Sequence, residues 1–164
     1  MASPVPLVPE PATTEASAIG WTPDSAEVAR ATELGRTAAS RLAGTLVQQL
    51  SAQLQAGGPE SAIEFCSAEA MRLTREVNEE LGGLDVKRTS TRIRNPDNAP
   101  DALEREALAH FRREMDAGAL PDHWVQTAGD DELRYYQPLV VGEMCIQCHG
   151  PVGELAPAVR ERLG

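Results

Sequence analysis

The sequence predicts an α+β domain in which a long N-terminal helix is followed by further helices and a short antiparallel strand pair. Three observations predict it. Val28, Ala31, Leu34, Ala38, Leu42, Leu46, Leu50 and Leu54 recur every three or four residues, the spacing of one helix face. Gly57-Gly58, Gly82-Gly83 and Gly118 stand where such stripes stop, as helix C-termini favour glycine. Two strand-like runs, residues 124–128 and 133–141, flank Gly129-Asp130-Asp131, a hairpin signal.

Residues 1–22 read as a disordered linker, rich in Pro, Ala, Thr, Ser and Glu and without apolar periodicity. Residues 23–164 form the domain. Thr22-Pro23-Asp24-Ser25 offers capping side chains for the first helix. Pro59 opens the second, whose stripe is Ala62, Cys66, Leu73, Val77 and Leu81, so Cys66 is expected to face the interior. A buried free cysteine reads as a small apolar filler. Residues 84–90 alternate loosely and are expected to form a strand. Asp101 caps a helix running to about Ala117, with Ala107, Leu108, Phe111 and Met115 inward and His110 on the flank. His123 is expected to be exposed. A last helix over about 154–163 has Pro157 in its first turn.

The chain carries 25 acidic and 15 basic residues, a formal charge of -10. Nucleic-acid binders show a basic footprint, so no nucleic-acid partner is expected. No apolar run is long enough for membrane insertion. Lys87 is the only lysine. Lys87, Arg88, Arg92 and Arg94 nevertheless cluster within eight residues. They make either a solvated face or a seat for carboxylates, which guanidinium binds in a two-pronged way.

Cys145-Ile146-Gln147-Cys148-His149 has the form C-x-x-C-H, the attachment signature of c-type haem. Two thiols three residues apart reach the two vinyl groups of one porphyrin, and the next residue offers an imidazole to the iron. The rival readings need a βαβ context for a redox pair, or a second ligand pair for zinc. One covalently attached haem c is therefore expected at Cys145 and Cys148, with His149 on the iron. Arg88, Arg92 and Arg94 become candidates for its propionates. Attachment of this kind takes place outside the bacterial cytoplasm, so a periplasmic or other extracytoplasmic location is expected, although no signal peptide is visible in the first 21 residues.

Two segments resemble a known family. Val86-Lys87-Arg88-Thr89-Ser90 with Arg94-Asn95-Pro96-Asp97-Asn98-Ala99-Pro100-Asp101 is similar to its first signature. Tyr136-Gln137-Pro138-Leu139-Val140-Val141-Gly142-Glu143-Met144, leading into Cys145, is similar to its second. The family is that of single-haem c-type cytochromes with a PAS-like domain, and the resemblance covers roughly residues 25–160. It implies a PAS-like antiparallel sheet packed with helices. It also implies a cysteine of the second helix as the other axial ligand, a position that Ala62-Ile63-Glu64-Phe65-Cys66 matches. Members continue past the haem signature into a further strand, whereas this sequence ends at Gly164, so either a shortened sheet or a trimmed C-terminus is expected.

A His/Cys-ligated haem implies a sensor of redox state or of a diatomic gas, relaying to an unknown redox or signalling partner protein. The alternative is a periplasmic electron-transfer cytochrome. Nothing points to distal acid–base groups, so no enzymatic activity is expected.

Overall fold

The computed structural model describes residues 21–163. All but the last two positions of the expected linker therefore lie outside the described residues. The first helix, α1, spans Ser25–Ala68. Asp24 caps it in a reciprocal capping box: its carboxylate accepts from Glu27 N, and the Glu27 carboxylate accepts from Asp24 N, both at 2.8 Å. As expected, the helical backbone breaks at Gly57-Gly58: Gly58 is non-helical (φ 67°, ψ -161°), and a second limb runs from there to Ala68. Glycine adopts that backbone without penalty. Pro59 then restarts the helix, since a proline in a first turn has no N–H to leave unpaired.

The second helical stripe falls partly on the end of α1 and partly on α2 (Ala70–Glu80). Leu42 and Leu46 from the long arm of α1 pack with Phe65, Ala70 and Val77, and Leu50, Leu73, Leu81 and Val86 close around them. Full burial of each such large side chain contributes about 1.5–3 kcal/mol, so this cluster binds the two limbs of the kinked helix together. Gly82 and Gly83, at φ 58° and 117°, end α2.

The strand expected over residues 84–90 does not form. The reason is local. The Asn78 side chain accepts from Val86 N at 2.9 Å and donates to Val86 O at 3.1 Å. Both backbone groups that a neighbouring strand would pair are thus occupied by a side chain. Thr89 Oγ1 donates to Asn98 O, fixing the irregular segment against the turn at Pro96–Asn98.

Helix α3 covers Ala102–Asp116 behind the Asp101 cap, with Glu104 completing a second capping box. Lys87 Nζ donates to Ala99 O and pairs with Glu104. Only Ala107 of α3 is fully buried. The packed face is therefore narrow, and Met115, expected inward, is exposed in the last turn. The hairpin forms as expected: β1 (Trp124–Ala128) pairs antiparallel with β2 (Glu132–Tyr136), Trp124 opposite Tyr136. Strand β2 stops at Tyr136 rather than at 141. Pro138 has no N–H for a ladder, and Leu139, Val140 and Val141 run on exposed.

One face of the hairpin packs on α3, where the His110 and Trp124 rings meet at a tilt, 4.7 Å between centroids, and Gln126 donates to Glu106. The other side meets α1, where the Tyr135 ring lies against Gly35. His123, expected to be exposed, is half-buried and stacked on that same Tyr135. Helix α4 (Glu143–His149) and helix α5 (Pro157–Leu163) complete the chain. Leu155 and the fully buried Val159 pack on Ile63 of α1, with Cys148 against them. The fold is thus a mixed helix-and-strand domain with a two-stranded sheet among the described residues. No described helix is long and apolar enough to cross a membrane.

Candidate functional site

Helix α4 starts after Gly142, whose extended backbone turns the chain into the helix. Residues three and four apart on a helix are surface neighbours, so Cys145, Cys148 and His149 share one side of α4. The short helix is held at its C-terminal end by a distant residue: Arg94 Nη2 donates to Cys148 O at 2.7 Å. That bond satisfies a carbonyl which the helix itself leaves free and places a cation at the end where the helix dipole is negative.

Facing α4 is the last part of α1. Leu50, Leu54 and Ala62 form an apolar wall, and Cys66 stands beside them. Together with Met144, Cys145, Cys148 and His149 they enclose a cavity of about 30 Å³. The structure therefore brings together four of the predicted ligand and attachment residues, Cys66, Cys145, Cys148 and His149. Cys66 departs from the sequence expectation in one respect. It was expected in the interior, and it is exposed. Its neighbours Phe65 and Ala62 take the core-facing positions of this turn, which leaves Cys66 at the rim between α1 and α4, one side toward the cavity and one toward solvent.

The arginines separate into three situations. Arg94 is bonded to Cys148 O. Arg92 is exposed, its backbone N–H donating to Ser90 Oγ. Arg88 is half-buried, and its Nε is a fully buried donor without a partner. Two other buried side-chain atoms lack partners among the described residues, Gln126 Oε1 and Tyr136 Oη, and both belong to the hairpin. Lys87 is tied to Ala99 and Glu104 and does not line the cavity.

The electrostatics follow this layout. Burial pushes the Cys66 thiol up from its ordinary value, and Cys148 adds to the rise; Arg88 and Arg94 oppose it. Burial likewise raises the Cys148 thiol, against the pull of Arg94. His149 is held below the usual histidine range, first by desolvation on its protein side and then by Arg94, Arg88 and Arg92. The shift favours the neutral imidazole, the form that binds a metal. Burial lowers the Arg88 pKa, opposed by Cys66.

The donor set fits a single haem c. Two thiols share a helix face with an imidazole, a third thiol faces them, and apolar leucines form a wall. The 30 Å³ enclosed is the share of one water molecule, well below the several hundred Å³ of a cofactor site. Holding the group thus requires α4 and the end of α1 to stand further apart. Leu50 and Leu54 had been placed on the general core stripe of α1, and nothing in their periodicity marked them as cavity wall. Met144 adjoins the signature in sequence, and its side chain also lines the cavity.

The described residues thus set a C-x-x-C-H helix against a third cysteine. The chain is a member of the Tll0287-like family, a family related to c-type haem domains, whose model matches residues 13–164. Neither the curated proteins nor the solved structures contain a match to the chain.

Proposed function

We propose that the protein is an extracytoplasmic c-type haem protein that reports redox state or a diatomic gas, with Cys145 and Cys148 as the attachment thiols and His149 and Cys66 as the two iron ligands. The observation that carries this reading is the gathering of those four residues around one cavity from elements far apart in the chain. When bound, the haem supplies a one-electron iron centre whose potential is lowered by a thiolate ligand. His149, shifted toward its neutral form, is suited to ligate. Cys66, at the rim and on a different element, is the ligand free to leave. Arg92, exposed and with no side-chain partner among the described residues, is the cation best suited to a propionate, and Arg94 holds the attachment helix.

A ligand that departs on reduction is a local event able to bias a two-state element, here α4 against the end of α1. The PAS-like description of the fold is part of the same proposal, supported by an antiparallel hairpin with helices packed around it. Electron carriage without signalling is the alternative, and it requires both ligands to stay in place in both oxidation states.

The test uses protein matured with haem-attachment machinery. Mass spectrometry is expected to show one haem that survives acid and organic extraction. The ferric protein is expected to give a thiolate signature in electron paramagnetic resonance and near-infrared charge-transfer bands, lost in Cys66→Ala. Haem released to the organic layer, or an unchanged ferric spectrum in Cys66→Ala, would sink the respective assignment. Carbon monoxide binding to the reduced wild type separates the sensor from the carrier.

A further inference from the structure

We propose that the cleft between α1, the loop before β1 and the segment after β2 is a second binding site, separate from the cysteine cavity. Its ligand is a small zwitterion of the amino-acid class, free or as a short peptide. Arg36 receives the carboxylate, Asp122 the ammonium, and apolar side chains of the cleft the rest.

The cleft measures about 550 Å³, within the several hundred Å³ typical of small-molecule sites. It shares no lining residue with the cysteine cavity. Ser40, which lines the cleft, stands about 15 Å along α1 from Leu50, which lines the cavity. The site is thus independent of the haem reading.

Tyr135 lines the cleft in a position fixed three times over. Its ring lies against Gly35, where any Cβ would collide with it. His123 stacks on it, with 5.5 Å between centroids and 19° between planes. Its hydroxyl donates to Gln137 Oε1 at 2.9 Å. Each charge of the cleft adjoins one of these contacts, since Arg36 follows Gly35 and Asp122 precedes His123. A site anchored in this way loses little freedom when a ligand enters.

The charges distinguish this cleft from an ordinary surface hollow. Arg36 and Asp122 both line it, yet among the described residues neither side chain has an ion pair or a hydrogen bond, with the other or with anything else. Arg41, further along the same helix, is by contrast paired with Glu80 at 2.8 Å. An open guanidinium and an open carboxylate in one cleft match a ligand that carries both opposite charges. Guanidinium binds a carboxylate through two parallel N–H bonds, and Asp122 accepts from an ammonium. Leu120, Pro138 and Val140 supply apolar surface, with Val140 left 75% exposed. The chain's charge of -10 disfavours a net anion, and Arg36 disfavours a simple cation. A zwitterion meets neither penalty.

Calorimetric titration of the full-length protein with leucine, dileucine and trileucine tests the site and tells a free amino acid from a short peptide. At least one of the three is expected to bind with a Kd below about 1 mM. Its N-acetylated and C-amidated forms, each lacking one charge, are expected to bind about tenfold more weakly, the loss of one charged hydrogen bond. Arg36→Gln should erase the difference between the parent ligand and its amide, and Asp122→Asn that between the parent and its acetylated form. Arg41→Gln should match the wild type. Both cleft positions are exposed, and circular dichroism verifies that the variants keep their helices. The blocked ligands on the wild type keep the test intact should either variant fail to fold. No binding by any of the three, or binding that ignores both blocked ends, overturns the site. A folded Arg36→Gln that still rejects the amide, or a folded Asp122→Asn that still rejects the acetylated form, overturns the assignment of the two charges.

Discussion

Gly35→Ala puts the docking of the hairpin on α1 to a sharp test. In an ordinary exposed helix interior, replacing glycine by alanine stabilises by about 1 kcal/mol. Gly35 is different because the Tyr135 side chain is pressed onto it. An added Cβ would meet Tyr135 Cβ, Cγ and Cδ1, the last at 2.5 Å. All three are closer than carbon atoms pack, and Tyr135 Cβ is fixed by its strand, so rotation of the ring cannot relieve the clash. Overpacking of this kind costs about 1–3 kcal/mol. With three atoms involved the upper end applies, and the helix gain offsets about a third of it, leaving a net loss of about 2 kcal/mol. Gly44 lies on the same helix with nothing within 4 Å of its added Cβ, so Gly44→Ala is expected to gain about 1 kcal/mol. Urea unfolding of both variants measures a difference of about 3 kcal/mol. A Gly35→Ala protein as stable as Gly44→Ala would refute the seating of Tyr135 on α1.

Further outcomes follow from other parts of the structure. Asp101 caps α3 and pairs with Arg134 at 2.5 Å, and its carboxyl is held below the ordinary 3.8 chiefly by the backbone N–H of Glu104 and by Arg134. The stability it contributes is full above the unfolded value and is lost as pH falls through the lower folded one. Acid melts should therefore show wild type losing more stability below about pH 4 than Asp101→Asn, and parallel curves would contradict it. Leu42→Ala removes a fully buried side chain from the main cluster and is expected to cost about 2–5 kcal/mol by urea denaturation. Arg94→Gln leaves the Cys148 carbonyl without its donor, so amide exchange in α4 should accelerate while that in α1 does not change; equal protection would deny Arg94 its anchoring role.

Much of the domain was legible because its signals are local. The stripe from Val28 to Leu54, the capping residues Asp24 and Asp101, and the hairpin around Gly129 are each decided by a few neighbouring residues. Three features were not legible, for a common reason. The 84–90 segment has strand-like alternation, but Asn78, on another element, occupies the Val86 backbone groups. Met115 keeps helical phase, but exposure depends on how narrow a face α3 packs. Cys66 lies on the inward stripe by spacing, yet the break after Ala68 and the packing of Phe65 rotate the boundary between core and rim past it. The site itself was legible as the string Cys145 to His149. Its apolar wall, Leu50 and Leu54, was not, since periodicity says that a residue is inward without saying what it faces.

The packing of Leu155 and Val159 on Ile63 has a consequence for timing. The partners lie nearly a hundred residues apart in sequence, whereas Phe65, Ala70 and Val77 are close neighbours that cluster with α1 at once. Closing a long loop is entropically unfavourable until its contacts form, and chains emerge N-terminus first. The helical scaffold with Cys66 on its rim is thus assembled before α4 and α5 have anything to dock against. During that interval Cys145 and Cys148 of α4 are still on a loose tail, open to whatever reacts with free thiols, and the docking of Val159 onto Ile63 is the event that closes this window.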